Sequence, residues 1–161
     1  MSVTLRKMTT EEFEYFYQWS IAHQAMELME ELHLSQEKAT SAAIAEVKAI
    51  LPAGLGTEHN HLMTVVAENE AVGFIWTIHE ETNGRKQSFV CDFAIWESKR
   101  RKGYAAAALH LSEIYAAEAG CQESVLFVRD TNAAARSLYE KCGYRVLRQE
   151  GYGVYMVKQL S

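Results

Sequence analysis

Four consecutive cations, Lys99-Arg100-Arg101-Lys102, run directly into Gly103-Tyr104-Ala105-Ala106. Upstream, Phe93-Ala94-Ile95 reads as the end of a strand. Downstream, the Ala-rich segment from Tyr104 reads as a helix. The first N–H groups of a helix lack an intrahelical acceptor and sit at the positive end of its dipole. Such a terminus binds anions, phosphate above all. Gly103 lets a ligand approach the backbone, Ala105 and Ala106 leave the first turn unobstructed, and Arg100, Arg101 and Lys102 add attraction. The chemistry suited to this junction is binding of a pyrophosphate. Neither G-x-x-x-x-G-K-[ST] nor G-x-G-x-x-G occurs, so the pattern indicates neither a nucleoside-triphosphate loop nor a dinucleotide fold. A short basic run also fits a solvated face or a nucleic-acid contact.

Other residues carry proton chemistry. Asp92 precedes Phe93, and by alternation Asp92 and Ala94 share one strand face while Cys91, Phe93 and Ile95 share the other. Glu80 and Glu81 end the preceding strand beside His79. Asp92 and Glu80 are candidate bases for an ammonium, directly or through water, and each equally fits a surface position. Tyr139 falls on a stripe with Ala135, Leu138 and Cys142 that suits core packing, and Asn132 suits a helix N-cap. His59 and His61 do not by themselves make a zinc site, and no metal is expected.

These residues need elements to position them. Val3 to Met8 reads as a strand, and Thr9 with Glu12 reads as a capping box. Phe13, Tyr17, Ile21, Ala25, Leu28 and Leu32 then mark one helix face, with Phe16, Trp19, His23 and Met26 as a second stripe. A second helix begins near Ser35 and ends before Pro52, and Pro52 to His61 is a loop. Strands follow at Leu62 to Glu68, Ala71 to Glu80 and Gln87 to Trp96, joined by short turns at Asn69-Glu70 and Asn83-Gly84. A helix from Tyr104 to Ala119 ends at Gly120. Glu123 to Val128 is a strand, Ala133 to Cys142 a helix, and Tyr144 to Gln149 and Val154 to Leu160 are the last strands. The strand–helix–strand unit implies one parallel pair. The fold class is therefore α/β (α+β), with a mixed, mostly antiparallel sheet and helices on both faces.

The chain has 161 residues, 48% apolar and 23% charged, which suits a single domain spanning residues 1–161. Sixteen basic against 21 acidic residues give a net charge of −5, which disfavours a nucleic-acid grip. Three cysteines without metal-like spacing read as free thiols of a cytoplasmic protein. No signal peptide and no apolar run of ~18 residues is visible, so no membrane association is expected.

Arg100-Arg101-Lys102-Gly103-Tyr104-Ala105 matches [Q/R]-x-x-G-x-[G/A]. Asn132 through Tyr144 matches N-x-x-A-x-x-x-Y-x-x-x-G-[F/Y]. In motif order, separation and secondary structure, residues 62–158 resemble the GNAT family of acetyl-coenzyme-A-dependent N-acetyltransferases. The resemblance implies that the strands of Phe93 and Val125 are neighbours that splay apart. It implies that the pantetheine arm of acetyl-CoA lies between them, against Phe93, Ala94 and Ile95. The cofactor pyrophosphate would then lie on Arg100 to Ala106. Asn132 and Tyr139 would contact the coenzyme, with Tyr139 as proton donor to the departing thiolate. The implied reaction is direct acetyl transfer to a primary amine in a ternary complex, without an acyl-enzyme on Cys91. A non-catalytic coenzyme-A sensor on the same fold is the alternative.

The acceptor is open between a small molecule and a protein amine. Thr9 to Leu34 holds six acidic residues (Glu11, Glu12, Glu14, Glu27, Glu30, Glu31) and no Lys or Arg, which suits a cationic acceptor or a solvated helix. The second stripe of that helix suits an acceptor pocket or additional core. An edge strand such as Val154 to Leu160 offers pairing between two copies, a route to a homodimer.

Overall fold

A computed structural model describes residues 2–160. The elements run β1 (Val3–Lys7), α1 (Thr10–Leu32), α2 (Gln36–Ile50), β2 (Asn60–Ala67), β3 (Glu70–Thr82) and β4 (Arg85–Ile95). They continue with α3 (Tyr104–Glu118), β5 (Glu123–Arg129), α4 (Ala133–Lys141), β6 (Arg145–Glu150) and β7 (Gly153–Gln159). Two compact units result. Met8–Asn60 form one, and the chain up to Lys7 together with that from His61 onward forms the other.

In the Met8–Asn60 unit the capping box closes as expected. The Glu12 N–H donates to Thr9 Oγ1 at 3.1 Å, and the Thr9 N–H donates to Glu12 Oε1 at 2.9 Å. Ser35 caps α2 through the Lys38 N–H. Phe13, Phe16, Ser20, Ile21 and Ala25 are buried on α1, whereas Leu32 in its last turn is exposed. Between α2 and β2 the loop holds a single 3-10 turn at Gly54–Gly56.

The other unit is built on a seven-stranded sheet ordered β1-β2-β3-β4-β5-β7-β6. Two-residue turns with both residues at positive φ connect β2 to β3 and β3 to β4. These are Glu68-Asn69 (51° and 64°) and Asn83-Gly84 (53° and 76°), the twist that suits a tight hairpin. The first lies one residue earlier than the Asn69-Glu70 connection read from sequence. β4 and β5 pair in parallel, with α3 as their crossover; β1–β2, β3–β4, β5–β7 and β6–β7 are antiparallel. β7 returns between β5 and β6, so the expectation that Val154 to Leu160 forms an edge is wrong. The edge on that side of the sheet is β6, exposed along its whole length.

Two irregularities shape the middle of this sheet. Trp76 pairs with Asp92 but Thr77 pairs with Val90, which leaves Cys91 as an extra residue in β4. Alternation therefore does not carry through Cys91. Val90, Phe93 and Ile95 reach the same core despite their different parity. In addition, β4 pairs with β5 only from Gln87↔Glu123 to Val90↔Leu126, although β4 runs on to Ile95 and β5 to Arg129. Past the bulge the two strands have parted.

The core of this unit joins Leu5, Val65, Ile75, Leu126 and Met156 of the sheet to Tyr104, Ala108 and Leu109 of α3. Ala108 and Ala116 are fully buried, and their small side chains let α3 lie close to its neighbours. Each large buried side chain, such as Leu109 or Leu126, contributes about 1.5–3 kcal/mol. Among the described residues no helix is long and apolar enough to cross a membrane. Gly73 lies opposite Ile95, and a Cβ there would stand 2.2 Å from the Ala94 carbonyl oxygen. Gly73→Ala is expected to destabilise the protein by about 1–3 kcal/mol in a denaturant titration; unchanged stability would show that β4 is not held against β3 this closely.

Candidate active site

The junction after β4 is built from its backbone. The Arg100 Nε donates to the Ile95 carbonyl at 2.8 Å, which ties the basic run to the strand end. Lys99 Nζ lies 2.7 Å from Glu70 Oε2. That contact holds the Lys99 ammonium above its ordinary range and the Glu70 carboxyl below its own. Two of the four cations are thus engaged within the protein, while Arg101 and Lys102 are exposed. Arg101 adopts φ 65° and Gly103 φ 81°, so the chain makes two left-handed steps just before α3. Gly103 is the N-cap and brings no side-chain acceptor to the first turn of α3. The N–H groups of that turn have no intrahelical acceptor. Tyr104 contributes its backbone here, but its ring is buried in the core. Ala106 is exposed and Ala105 half-buried.

The parted segment of β4 leads into this junction. Asp92, Phe93 and Ala94 are half-buried and Ile95 is buried. The Phe93 N–H donates to Asp92 Oδ1 at 3.1 Å. Burial pushes the Cys91 thiol up to about 12, with the charges of Asp92 and Glu80 adding to the effect. A thiol held there is protonated at neutral pH and is a poor nucleophile. Glu80 is exposed and accepts from Gln87 Nε2 at 3.2 Å. Glu81 is exposed as well, and the rings of His79 and His61 lie 4.1 Å apart. His59 is exposed with φ 64°. Among the described residues no group of three or more His, Cys, Asp or Glu is arranged to hold a metal.

The third contribution comes from α4. Asn132 caps it, its Oδ1 accepting from the Ala135 N–H at 3.1 Å. Ala135, Tyr139 and Cys142 are half-buried and pack against the core. Burial, then the nearby Asp92 charge, raise the Tyr139 hydroxyl to about 12. Asp92 therefore sits within electrostatic reach of both Cys91 and Tyr139, and Glu80 within reach of Cys91. The arrangement offers a donor that stays protonated, a carboxylate beside it, and unpaired backbone donors at the next helix.

Sequence reasoning missed a buried polar network that adjoins the end of α4. Glu113 of α3 is only 6% exposed. Its carboxylate meets Lys158 Nζ at 2.7 Å and the Tyr144 hydroxyl at 3.0 Å. Ser124 Oγ lies 2.8 Å from the same hydroxyl. Burial raises the Tyr144 hydroxyl strongly, opposed by the Ser124 hydrogen bond. The available signal was an acid, beside Ser112, among the mostly apolar inward-facing residues of α3.

The Met8–Asn60 unit contains the remaining sequence candidates. Of the second α1 stripe, Phe16 is buried, Trp19 half-buried, and His23 and Met26 exposed, with the Trp19 and His23 rings stacked at 3.7 Å. Glu11, Glu14 and Glu30 are exposed, whereas Glu12, Glu27 and Glu31 are half-buried.

Known proteins share this organisation. A sequence profile of the Acetyltransferase (GNAT) family matches residues 9–144. The N-acetyltransferase YycN of Bacillus subtilis, itself uncharacterized, is 32% identical over 146 residues, 90% of this chain and 94% of that protein. Its crystal structure superposes with a TM-score of 0.85, covering 92% of this chain and 96% of YycN at 31% identity. The PaiA N-acetyltransferase of Thermoplasma acidophilum, crystallised with coenzyme A, covers 99% of both chains at TM-score 0.70 and 18% identity. The spermidine N-acetyltransferase of Vibrio cholerae, crystallised with coenzyme A and spermine, gives TM-score 0.68 and 15% identity, covering 98% of this chain and 95% of that one. With the profile match and the YycN relationship both spanning most of its length, the chain belongs to the GNAT family of acetyltransferases and is an acyl-transferring enzyme.

Proposed function

We propose that this enzyme transfers the acetyl group of acetyl-CoA directly to a primary amine in a ternary complex. The observation that carries this reading is the parting of β4 from β5 beside the uncapped N-terminus of α3. Acetyl-CoA, when bound, supplies the thioester-activated acetyl group. The N–H groups from Gly103 to Ala106, with Arg101 and Lys102, hold its pyrophosphate. Arg100 braces the strand end that precedes them. The backbone of Phe93, Ala94 and Ile95 pairs with the pantetheine, and Asn132 caps α4 while facing the coenzyme.

Transfer forms a C–N bond and breaks a C–S bond, so one proton leaves the amine and one reaches the thiolate. Asp92 accepts the amine proton, with Glu80 as a water-linked second base. The N–H of Phe93 is already donated to Asp92 Oδ1. Protonation of Asp92 weakens that bond and releases the N–H toward the oxyanion as it forms. Tyr139, held as a neutral phenol, protonates the leaving thiolate. Cys91 takes no acyl group, because its thiol stays protonated. The six glutamates between Thr9 and Leu34, with no Lys or Arg among them, and the spermine complex of the Vibrio cholerae neighbour support a cationic small-molecule amine as acceptor.

The test is a coenzyme-A release assay over a panel of polyamines, aminoglycosides and peptide amines. Acetyl-CoA at a hundredfold its Kd should stabilise the fold by roughly 2.7 kcal/mol, and at least one amine should release thiol. Binding without release by any amine would instead support a coenzyme-A sensor, and no binding would refute the reading. Tyr139→Phe should lower kcat by about 10²-fold while acetyl-CoA binding persists. Because the phenol is held up to about 12, the wild-type kcat should not fall as pH passes the ordinary tyrosine value of ~10. Cys91→Ala should leave kcat within about twofold; loss of turnover would indicate an acyl-cysteine.

A further inference from the structure

Tyr139 stands on α4, whose nine residues include none that is fully buried and which packs on the core through half-buried Ala135 and Tyr139. Its last turn is also held by the residue that opens the next segment. The Tyr144 N–H donates to the Tyr139 carbonyl at 3.0 Å, and the two rings are 6.0 Å apart. Tyr144, in contrast, is buried, and its hydroxyl reaches Glu113 and Ser124. A carboxylate only accepts, so the phenolic proton goes to Glu113 and the Ser124 hydroxyl donates to the phenolic oxygen. Lys158 of β7 balances the carboxylate at 2.7 Å, and His110 lies 3.9 Å from it. Glu113 belongs to α3, whose first turn follows Gly103. One side chain thus links the helix that begins at the proposed pyrophosphate site to the helix that carries the proposed acid.

We propose that Glu113 is a positioning residue for the transfer: through Tyr144 it sets the place of the Tyr139 hydroxyl relative to α3. The proposal rests on Tyr139 as the proton donor. It separates two quantities that a general loss of stability would change together. Displacing Tyr139 should slow the chemical step, whereas the backbone of residues 103–106, at the other end of α3, should bind acetyl-CoA as before.

The experiment is a kinetic cycle over Glu113→Ala, Glu113→Gln, Tyr144→Phe and Tyr139→Phe, with each of the first three also combined with Tyr139→Phe. Glu113→Ala and Tyr144→Phe are expected to lower kcat about tenfold or more while KM for acetyl-CoA stays within about threefold. Glu113→Gln, whose amide oxygen still accepts from Tyr144, should keep most of kcat even if its melting temperature falls. In the Tyr139→Phe background, Glu113→Ala and Tyr144→Phe should cost nothing further. An equal fold-loss in both backgrounds, or an unchanged kcat in the single variants, would overturn the proposal. If Tyr139→Phe alone leaves kcat unchanged, the acid assignment falls and the proposal with it. Should Glu113→Ala fail to fold, Tyr144→Phe, which keeps the ring, carries the same test.

Discussion

Every backbone N–H and C=O in a sheet needs a partner, and the β4–β5 ladder supplies partners for only four residue pairs. The proposed acetyl-CoA site depends on that shortfall. β4 stays paired with β3 as far as Ile95, so the segment after Cys91 is a strand rather than a loop. Its other edge, no longer paired with β5, is where an extended ligand can complete the ladder. The bulge at Cys91 marks the change, because an extra residue locally sharpens twist and bend in the bulged strand. Gly73, without a side chain, lets the carbonyl of Ala94 lie close against β3.

A buried carboxylate network meets the paired end of β4 and β5, where Ser124 lies opposite Ser88. Breaking a buried ion pair on one side typically costs several kcal/mol, because the remaining charge is left without compensation. Here Glu113 satisfies Lys158 and Tyr144 together, and no buried side-chain N or O among the described residues lacks a partner. Groups from α3, β5, β7 and the segment after α4 meet at this point. The same connection gives Tyr139 a defined place on a helix that has no fully buried side chain.

Local signals were legible and long-range ones were not. The capping box of Thr9 and Glu12, the Asn83-Gly84 turn and the Asn132 cap each depend on neighbours within four residues, and each forms as read. The cation run and the later N-x-x-A-x-x-x-Y pattern likewise point to the junction and to α4, because both are local motifs. The bulge left no such mark: Val90-Cys91-Asp92 holds no glycine or proline, and only its pairing with β3 reveals the extra residue. The place of β7 inside the sheet was equally hidden, since strand order depends on how the chain returns after β6. Arg100 read as a ligand-binding cation, and nothing in the run signalled that its Nε would also serve the end of β4. Glu113, Ser124, Tyr144 and Lys158 are spread over 45 residues, and no spacing rule joins them.

The acetyl-CoA site we propose is the opening between β4 and β5, together with the start of α3. A crystal structure of the acetyl-CoA complex tests it most directly. The account predicts the pantetheine amides paired with the backbone between Cys91 and Ile95, the pyrophosphate on the N–H groups from Gly103 to Ala106, and the thioester sulfur within hydrogen-bond reach of the Tyr139 hydroxyl. Coenzyme bound elsewhere on the chain, or β4 and β5 found paired along their full lengths in that complex, would contradict it.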